Sequence, residues 1–304
     1  MILMYHGVVP SPDFRLTANH LSVEDFKRHI YYLNENFKIR KLTEMFEDYR
    51  KGVAAKEFEI AITFDDGYRN NYKYAFPVLK ETKTPATVFV VTRALTDPGH
   101  ILWYDFIDGV KDRLDYTQLS FFDFGFNAQK ARTQKIVTGP ESLKSFMKQI
   151  NVDEKNRIIQ WIKKQGIEPD LERKKEFFEL ITPIQMKEMV KSGLIEFGSH
   201  THNHPNLSEI AAVEAEQEVV KSKMLLEESI GSEVKSIAFP DGSYNEAVKS
   251  ICINAGYQNL LAVDYKLGSD VTDKNILPRF CISNTTTPES NFLNMNNNLR
   301  KKGF

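Results

Sequence analysis

EIAITFDDG, residues 59–67, is the stretch that decides the fold. Six residues rich in β-branched and aromatic side chains run straight into two aspartates and a glycine. That is the pattern of a buried strand ending in a polar turn. A second apolar run, ATVFVVT (86–92), follows after a stretch that reads as a helix over 70–81. The three together make a strand–helix–strand unit of the parallel type.

The same alternation extends in both directions. MILMY (1–5) reads as a short buried strand. Ser22 and Asp25 form a capping-box pattern ahead of Val23, Phe26, Ile30 and Leu33 at helical spacing. Downstream, LIEFGSH (194–200), SIAFP (236–240), NLLAV (259–263) and ILPRFCIS (276–283) read as strands. Helices are expected over 211–230, closed by Gly231, and over 246–255, ended by Gly256. Alternating strands and helices imply an α/β protein with a parallel sheet. The stretch from about 115 to 190 is polar and Lys-rich, with helical pattern, and reads as a helical insertion within one 304-residue domain.

Composition narrows the function classes. The formal net charge is −1, with Lys and Arg spread along the chain, so nothing electrostatic points to nucleic acid. Two cysteines, Cys252 and Cys281, are too few for a disulfide framework or a cysteine metal site. No apolar stretch reaches the ~20 residues of a membrane span. The opening residues show no signal-peptide pattern, which makes cytoplasmic residence the expectation.

The chemistry is concentrated in two places. Asp65 and Asp66 are adjacent carboxylates at a strand end, and like charges so close repel unless a cation is near. A metal would bind one and leave the other as a base. Taken alone, Asp65-Asp66-Gly67 also fits a simple strand-ending turn. The second place is GSHTHNHPNL (198–207), where three of the seven histidines fall within five residues. His200 and His204 have the spacing that lets two imidazoles meet one ion on a helical turn, and His202 between them would point away. Two histidines and one carboxylate leave open positions, the pattern of a catalytic ion. Asp65–Asp66 and His200 each follow a predicted strand, at the carboxyl edge where parallel α/β folds build their sites.

TFDDG followed by GSHTHNHPNL resembles the polysaccharide deacetylase (NodB-homology) family, carbohydrate esterase family 4. The resemblance runs from MILMYHGV to ILPRFCIS, apart from the helical insertion. It implies a distorted (β/α) barrel, often of seven strands, that removes N-acetyl groups from sugars. It assigns Asp65 as general base and Asp66, His200 and His204 as ligands of a divalent metal, most often zinc. An N-acetylated carbohydrate would be the substrate.

Two departures stand out. The family's third motif is an Arg-x-Pro-aromatic run, and here the segment is AFPDGSYN (238–245), with Ala238 in place of the arginine and Asp241 in place of the aromatic. Arg279 is the candidate to hold Asp65 instead, by bidentate hydrogen bonds. The Asp241 backbone N–H remains a candidate oxyanion donor. The late acid histidine of many family members is also missing, since no histidine follows His204. His6, at the end of the first strand, is the candidate acid. A subgroup similar to biofilm poly-N-acetylglucosamine deacetylases begins in this way. In a closed barrel the first and last strands are neighbours. LWYD (102–105) also resembles a stretch of that subgroup, and makes Trp103 and Tyr104 candidates for a sugar-stacking wall and Asp105 for a sugar hydrogen bond. The rival readings are a hydrolase of non-sugar amides on the same scaffold and a non-catalytic carbohydrate-binding protein.

Overall fold

The computed structural model describes residues 1–13, 16–17, 19–53, 58–170, 172, 174–282, 290–291 and 294. The last residue of the predicted final strand, Ser283, lies outside them.

The strands are β1 (Ile2–Tyr5), β2 (Gly7–Val9), β3 (His20–Ser22), β4 (Lys38–Ile39), β5 (Glu59–Phe64), β6 (Ala86–Val90), β7 (Ile195–Ser199), β8 (Ser236–Ala238), β9 (Asn259–Ala262), β10 (Ile276–Pro278) and β11 (Phe280–Cys281). Eight of them form a parallel sheet in the order β10-β9-β8-β7-β6-β5-β1-β11, with β4 also pairing β5. One continuous segment supplies both edges. Its first half, β10, pairs β9, and its second half, β11, pairs β1. The sheet therefore curls into a barrel with helices around it. Eight strands replace the seven expected, because the final apolar run breaks at Arg279. The backbone N–H of Arg279 still donates to the Ala262 carbonyl of β9 (3.1 Å), while its guanidinium turns inward to Asp65.

Period-two alternation sorts the barrel residues. Leu3, Ile62, Val88, Phe197, Ile237 and Leu260 pack outward with Phe26, Ile30, Met186, Val219 and Leu226 of the surrounding helices. Ile2, Ala61, Phe89, Ala238 and Leu261 form a smaller inner cluster. On β5 the inward residues are Ala61 and Thr63, and the next in phase is Asp65. On β7 Gly198 faces inward, where an added Cβ would sit 2.4 Å from the Phe89 ring, and the next in phase is His200. The sheet pattern thus aims both groups into the barrel mouth.

The helices follow the sequence signals. Ser22 caps Val23–Asn36, its hydroxyl accepting from the Asp25 N–H. Gly231, at φ +72°, closes Ala212–Ile230. The 70–81 helix opens with a π-turn over Asn71–Ala75 before Phe76–Glu81. Pro77 lacks the N–H that a regular i→i−4 bond would need, and the turn before it widens.

Between β6 and β7 the chain forms helices Trp103–Val110, Tyr116–Phe121, Ala128–Gln134, Pro140–Met147 and Val152–Lys164. They enclose a second apolar cluster that includes Trp103, Phe106, Leu119, Leu143, Phe146, Ile158 and Ile162. Helix Pro183–Lys191 instead places Met186 and Met189 in the barrel core. Among the described residues no helix is long and apolar enough to cross a membrane.

Candidate active site

The site lies at the carboxyl ends of β1, β5, β7 and β8. The chain past β5 turns sharply. Asp66 and Gly67 both take the left-handed conformation, at φ +73° and +74°. Gly67 passes so close to β6 that a Cβ would meet the Val90 Cα at 3.1 Å. Left-handed backbone at a non-glycine such as Asp66 costs about 1–2 kcal/mol and persists where surrounding contacts fix it.

Asp66, His200 and His204 are all buried, and their donor atoms lie within 4.8 Å of one another. Each imidazole Nε2 stands 3.6 Å from the same Asp66 Oδ1. That is too long for a hydrogen bond. It is close to the roughly 3.4 Å separation of two donors each about 2.1 Å from a tetrahedral zinc. His200 Nδ1 is 2.8 Å from the Ala238 carbonyl, which fixes its proton on Nδ1 and leaves the Nε2 lone pair toward Asp66. Burial pushes the Asp66 carboxyl up and the His204 imidazole well down. A neutral imidazole is ligand-competent, and a buried aspartate without a cation would keep its proton. The three side chains therefore fit a divalent ion.

Asp65 has a different environment. Its backbone N–H donates to the Tyr5 carbonyl (2.9 Å), which ties the end of β5 to the end of β1. Both of its oxygens accept from Arg279, Nη1 at 2.6 Å and Nη2 at 2.7 Å. The Arg279 side chain is wholly buried over the Phe89 ring. Burial raises the Asp65 carboxyl, but the Arg279 guanidinium outweighs it and takes the group down to about 2. Asp65 therefore stays ionised with its geometry fixed. His6 follows β1 at the same end, close enough to interact electrostatically with Asp65 and Asp66.

The histidines do not sit on a helical turn, contrary to the sequence reading. Residues 200–206 form an irregular loop in which Thr201 and His204 are left-handed, at φ +66° and +55°. The loop is held by its own side chains and by helix Ala212–Ile230. Thr201 Oγ1 accepts from the His204 N–H (3.1 Å), and Ser199 Oγ accepts from the Thr201 N–H (3.0 Å). Ser199 Oγ is in turn 2.7 Å from Ser222 Oγ on the helix. Glu218, one turn earlier, accepts from the backbone N–H groups of His202 (2.9 Å) and Asn203 (2.7 Å) and from Asn203 Nδ2 (2.6 Å). His202 turns away from the ligand cluster, with Nδ1 3.1 Å from Thr92 Oγ1.

The LWYD side chains are turned into the protein. Trp103 is buried, at 5% exposure. It packs in the second core and approaches the His204 carbonyl through Nε1 at 3.4 Å. Asp105 is likewise buried and accepts from the Tyr68 hydroxyl (2.8 Å) rather than facing outward. Tyr104 stands edge-on to His204, ring centres 5.0 Å apart. Asp241 is exposed and left-handed at φ +52°, and its carboxylate is ion-paired with Lys148 of the helical segment (2.6 Å). The sequence reading missed Glu218, which stands in a run of glutamates with nothing to distinguish it, and Lys155, a buried lysine whose ammonium lies 5.1 Å over the Trp103 ring.

The chain thus carries paired aspartates at one strand end of a parallel barrel and a histidine loop at another. The chain belongs to the polysaccharide deacetylase family, whose model matches residues 52–115 and 143–260, more than half of the chain. It is 22% identical to YxkH of Bacillus subtilis over 258 residues, 84% of this chain but 62% of that protein, so it spans less than two thirds of that relative. It is 24% identical over 272 residues to the poly-beta-1,6-N-acetyl-D-glucosamine N-deacetylase of Staphylococcus aureus, covering 86% of this chain and 68% of that enzyme. Among solved structures, the fold is similar to Streptococcus pyogenes deacetylase PplD (TM-score 0.61, 21% identity, 96% of both chains). It is also similar to IcaB from Ammonifex degensii (TM-score 0.62, 18% identity, 96% of this chain and 95% of that one).

Proposed function

We propose that this chain is a divalent-metal hydrolase that removes N-acetyl groups from N-acetylated sugars of a polysaccharide or glycan precursor and releases acetate. The observation that carries the reading is the convergence of Asp66, His200 and His204 on one point, beside an aspartate that Arg279 keeps ionised. The S. aureus relative named for N-deacetylation of poly-beta-1,6-N-acetyl-D-glucosamine supports the sugar amide as substrate class.

Asp66, His200 and His204 would hold the ion, with zinc the first candidate for this donor set. When bound, a divalent ion supplies Lewis acidity toward a carbonyl oxygen and acidifies water. The other steps belong to the chain. Asp65, held by Arg279, takes the proton of the attacking water. The Asp241 backbone N–H donates toward the carbonyl oxygen as it gains charge. Amines leave poorly unless protonated, and His6 gives the proton to the departing nitrogen. Tyr104, against His204, narrows the space beside the acetamide.

The test is acetate and free-amine release from N-acetylglucosamine oligomers by the zinc-loaded protein, against simple amides. Equal acetate and amine are expected from the oligomers. Asp65→Asn is expected to keep its ion and lose ~10²–10⁴-fold in rate, as for a lost general base. An Asp65→Asn protein as fast as wild type removes the base assignment. Turnover of simple amides alone moves the substrate away from sugars.

A further inference from the structure

We propose that Glu218 is a positioning residue for the divalent-ion site, a role that rests on the metal reading of Asp66, His200 and His204. His204 must reach the cluster from a loop with two left-handed non-glycine residues, Thr201 and His204. Such backbone relaxes unless its neighbours over-determine it. Glu218 is 8% exposed, and its carboxylate accepts three hydrogen bonds, all from the two residues between Thr201 and His204. The acceptor belongs to a rigid element, since Glu218 sits in the second turn of the 19-residue helix Ala212–Ile230, whose Val219 and Leu226 are anchored in the barrel core. Ser222, one turn further along the same face, reaches the start of the loop through Ser199. The helix therefore grips the histidine loop at two points, and Glu218 is the charged one.

The consequence is specific. With Glu218 intact, the backbone before His204 is set before any ion arrives. Glu218→Gln keeps the shape, and its amide oxygen can still accept the two backbone N–H groups that share Oε2, but Asn203 Nδ2 then faces an amide N–H and both backbone bonds lose their charged acceptor. Groups that orient metal ligands are typically worth ten- to hundred-fold in ion affinity. Glu218 touches neither the ion nor the reacting atoms, so its loss is expected to weaken ion binding while leaving turnover near wild type once the site is saturated.

The experiment is zinc affinity of full-length wild type, Glu218→Gln and Ser222→Ala, by competition with a chromophoric chelator. It is read beside the unfolding midpoint of each zinc-free protein and acetate release at saturating zinc. The expected result is zinc binding weakened about ten- to hundred-fold in Glu218→Gln, and less in Ser222→Ala. The zinc-free midpoint stays near wild type, and turnover returns at saturating zinc. Unchanged zinc affinity in Glu218→Gln overturns the proposal. So does a midpoint loss that accounts for the affinity change, which would make Glu218 a stability residue, or a rate defect that persists at saturation. Failure of wild type to bind zinc at all would instead remove the metal reading on which the proposal stands.

Discussion

The barrel and the helical segment each bury a cation near the site, and they do so in opposite ways. Arg279, in the barrel, spends both terminal nitrogens on Asp65. Lys155, from helix Val152–Lys164, is 3% exposed, and its ammonium has no hydrogen-bond partner among the described residues, only the face of Trp103. Burial pulls the Lys155 amine down to about 8, whereas Arg279 pulls Asp65 down to about 2. A buried charge is tolerable when paired and hydrogen-bonded, and otherwise destabilises the fold. The barrel builds its charges as a pair with fixed geometry. The helical segment carries one at a net cost, against a tryptophan that approaches the backbone of His204. A third buried ionisable group, His20, stays neutral. Burial, helped by His6, lowers its imidazole to about 3, and its ring packs against Tyr68 and Phe177.

The comparison can be broken at each of these points. The largest effect is expected from Arg279→Met. It leaves Asp65 as an uncompensated buried carboxylate, and removing one partner of a buried pair costs about 3–5 kcal/mol. Urea unfolding reads the loss, and acetate release should fall with it because Asp65 then favours its protonated form. An unfolding free energy close to wild type would mean the pair does not hold this end of the barrel.

His20 sets a pH dependence. Its folded pKa lies below its unfolded one, so the unfolded chain takes up a proton that the folded chain refuses. Its contribution is complete above pH 6.5 and is lost as pH falls toward about 3, at about 1.4 kcal/mol per unit. His20→Gln should flatten the stability–pH slope between pH 6.5 and 5 by up to one proton. An unaltered slope would place the acid sensitivity elsewhere.

The smallest change runs in the opposite direction. Lys155→Met removes an unpaired buried charge and keeps the stem, so stability should rise by on the order of 1 kcal/mol. A fall in the unfolding midpoint would show that the cation–π contact with Trp103 outweighs desolvation.

What the sequence disclosed follows the same division. The strand ends were legible because period-two alternation and the Asp-Asp-Gly turn are local signals, and Asp65 and His200 inherit their direction from them. Arg279 was legible as a partner for Asp65 only through the missing arginine at Ala238. The left-handed histidine loop was not legible, because the three-residue gap between His200 and His204 fits a helical turn equally well. Neither was the grip of Glu218, which depends on where a helix lands. Trp103 and Asp105 became candidate sugar contacts only because LWYD resembles a stretch of the subgroup. A second apolar cluster, assembled from residues up to sixty positions away, draws Trp103 inward, and Tyr68 supplies the hydrogen bond that Asp105 takes. The expected strand number differed by one because the final apolar run is split at Arg279, the residue that pairs with Asp65.

The most direct measurement is the metal content of purified wild type, Asp66→Ala and His204→Ala by elemental analysis after dialysis against excess zinc. One ion per chain in wild type and a near-complete loss in both variants is the predicted result. Stoichiometric zinc in either variant, or none in wild type, would contradict the claim that these three side chains share an ion.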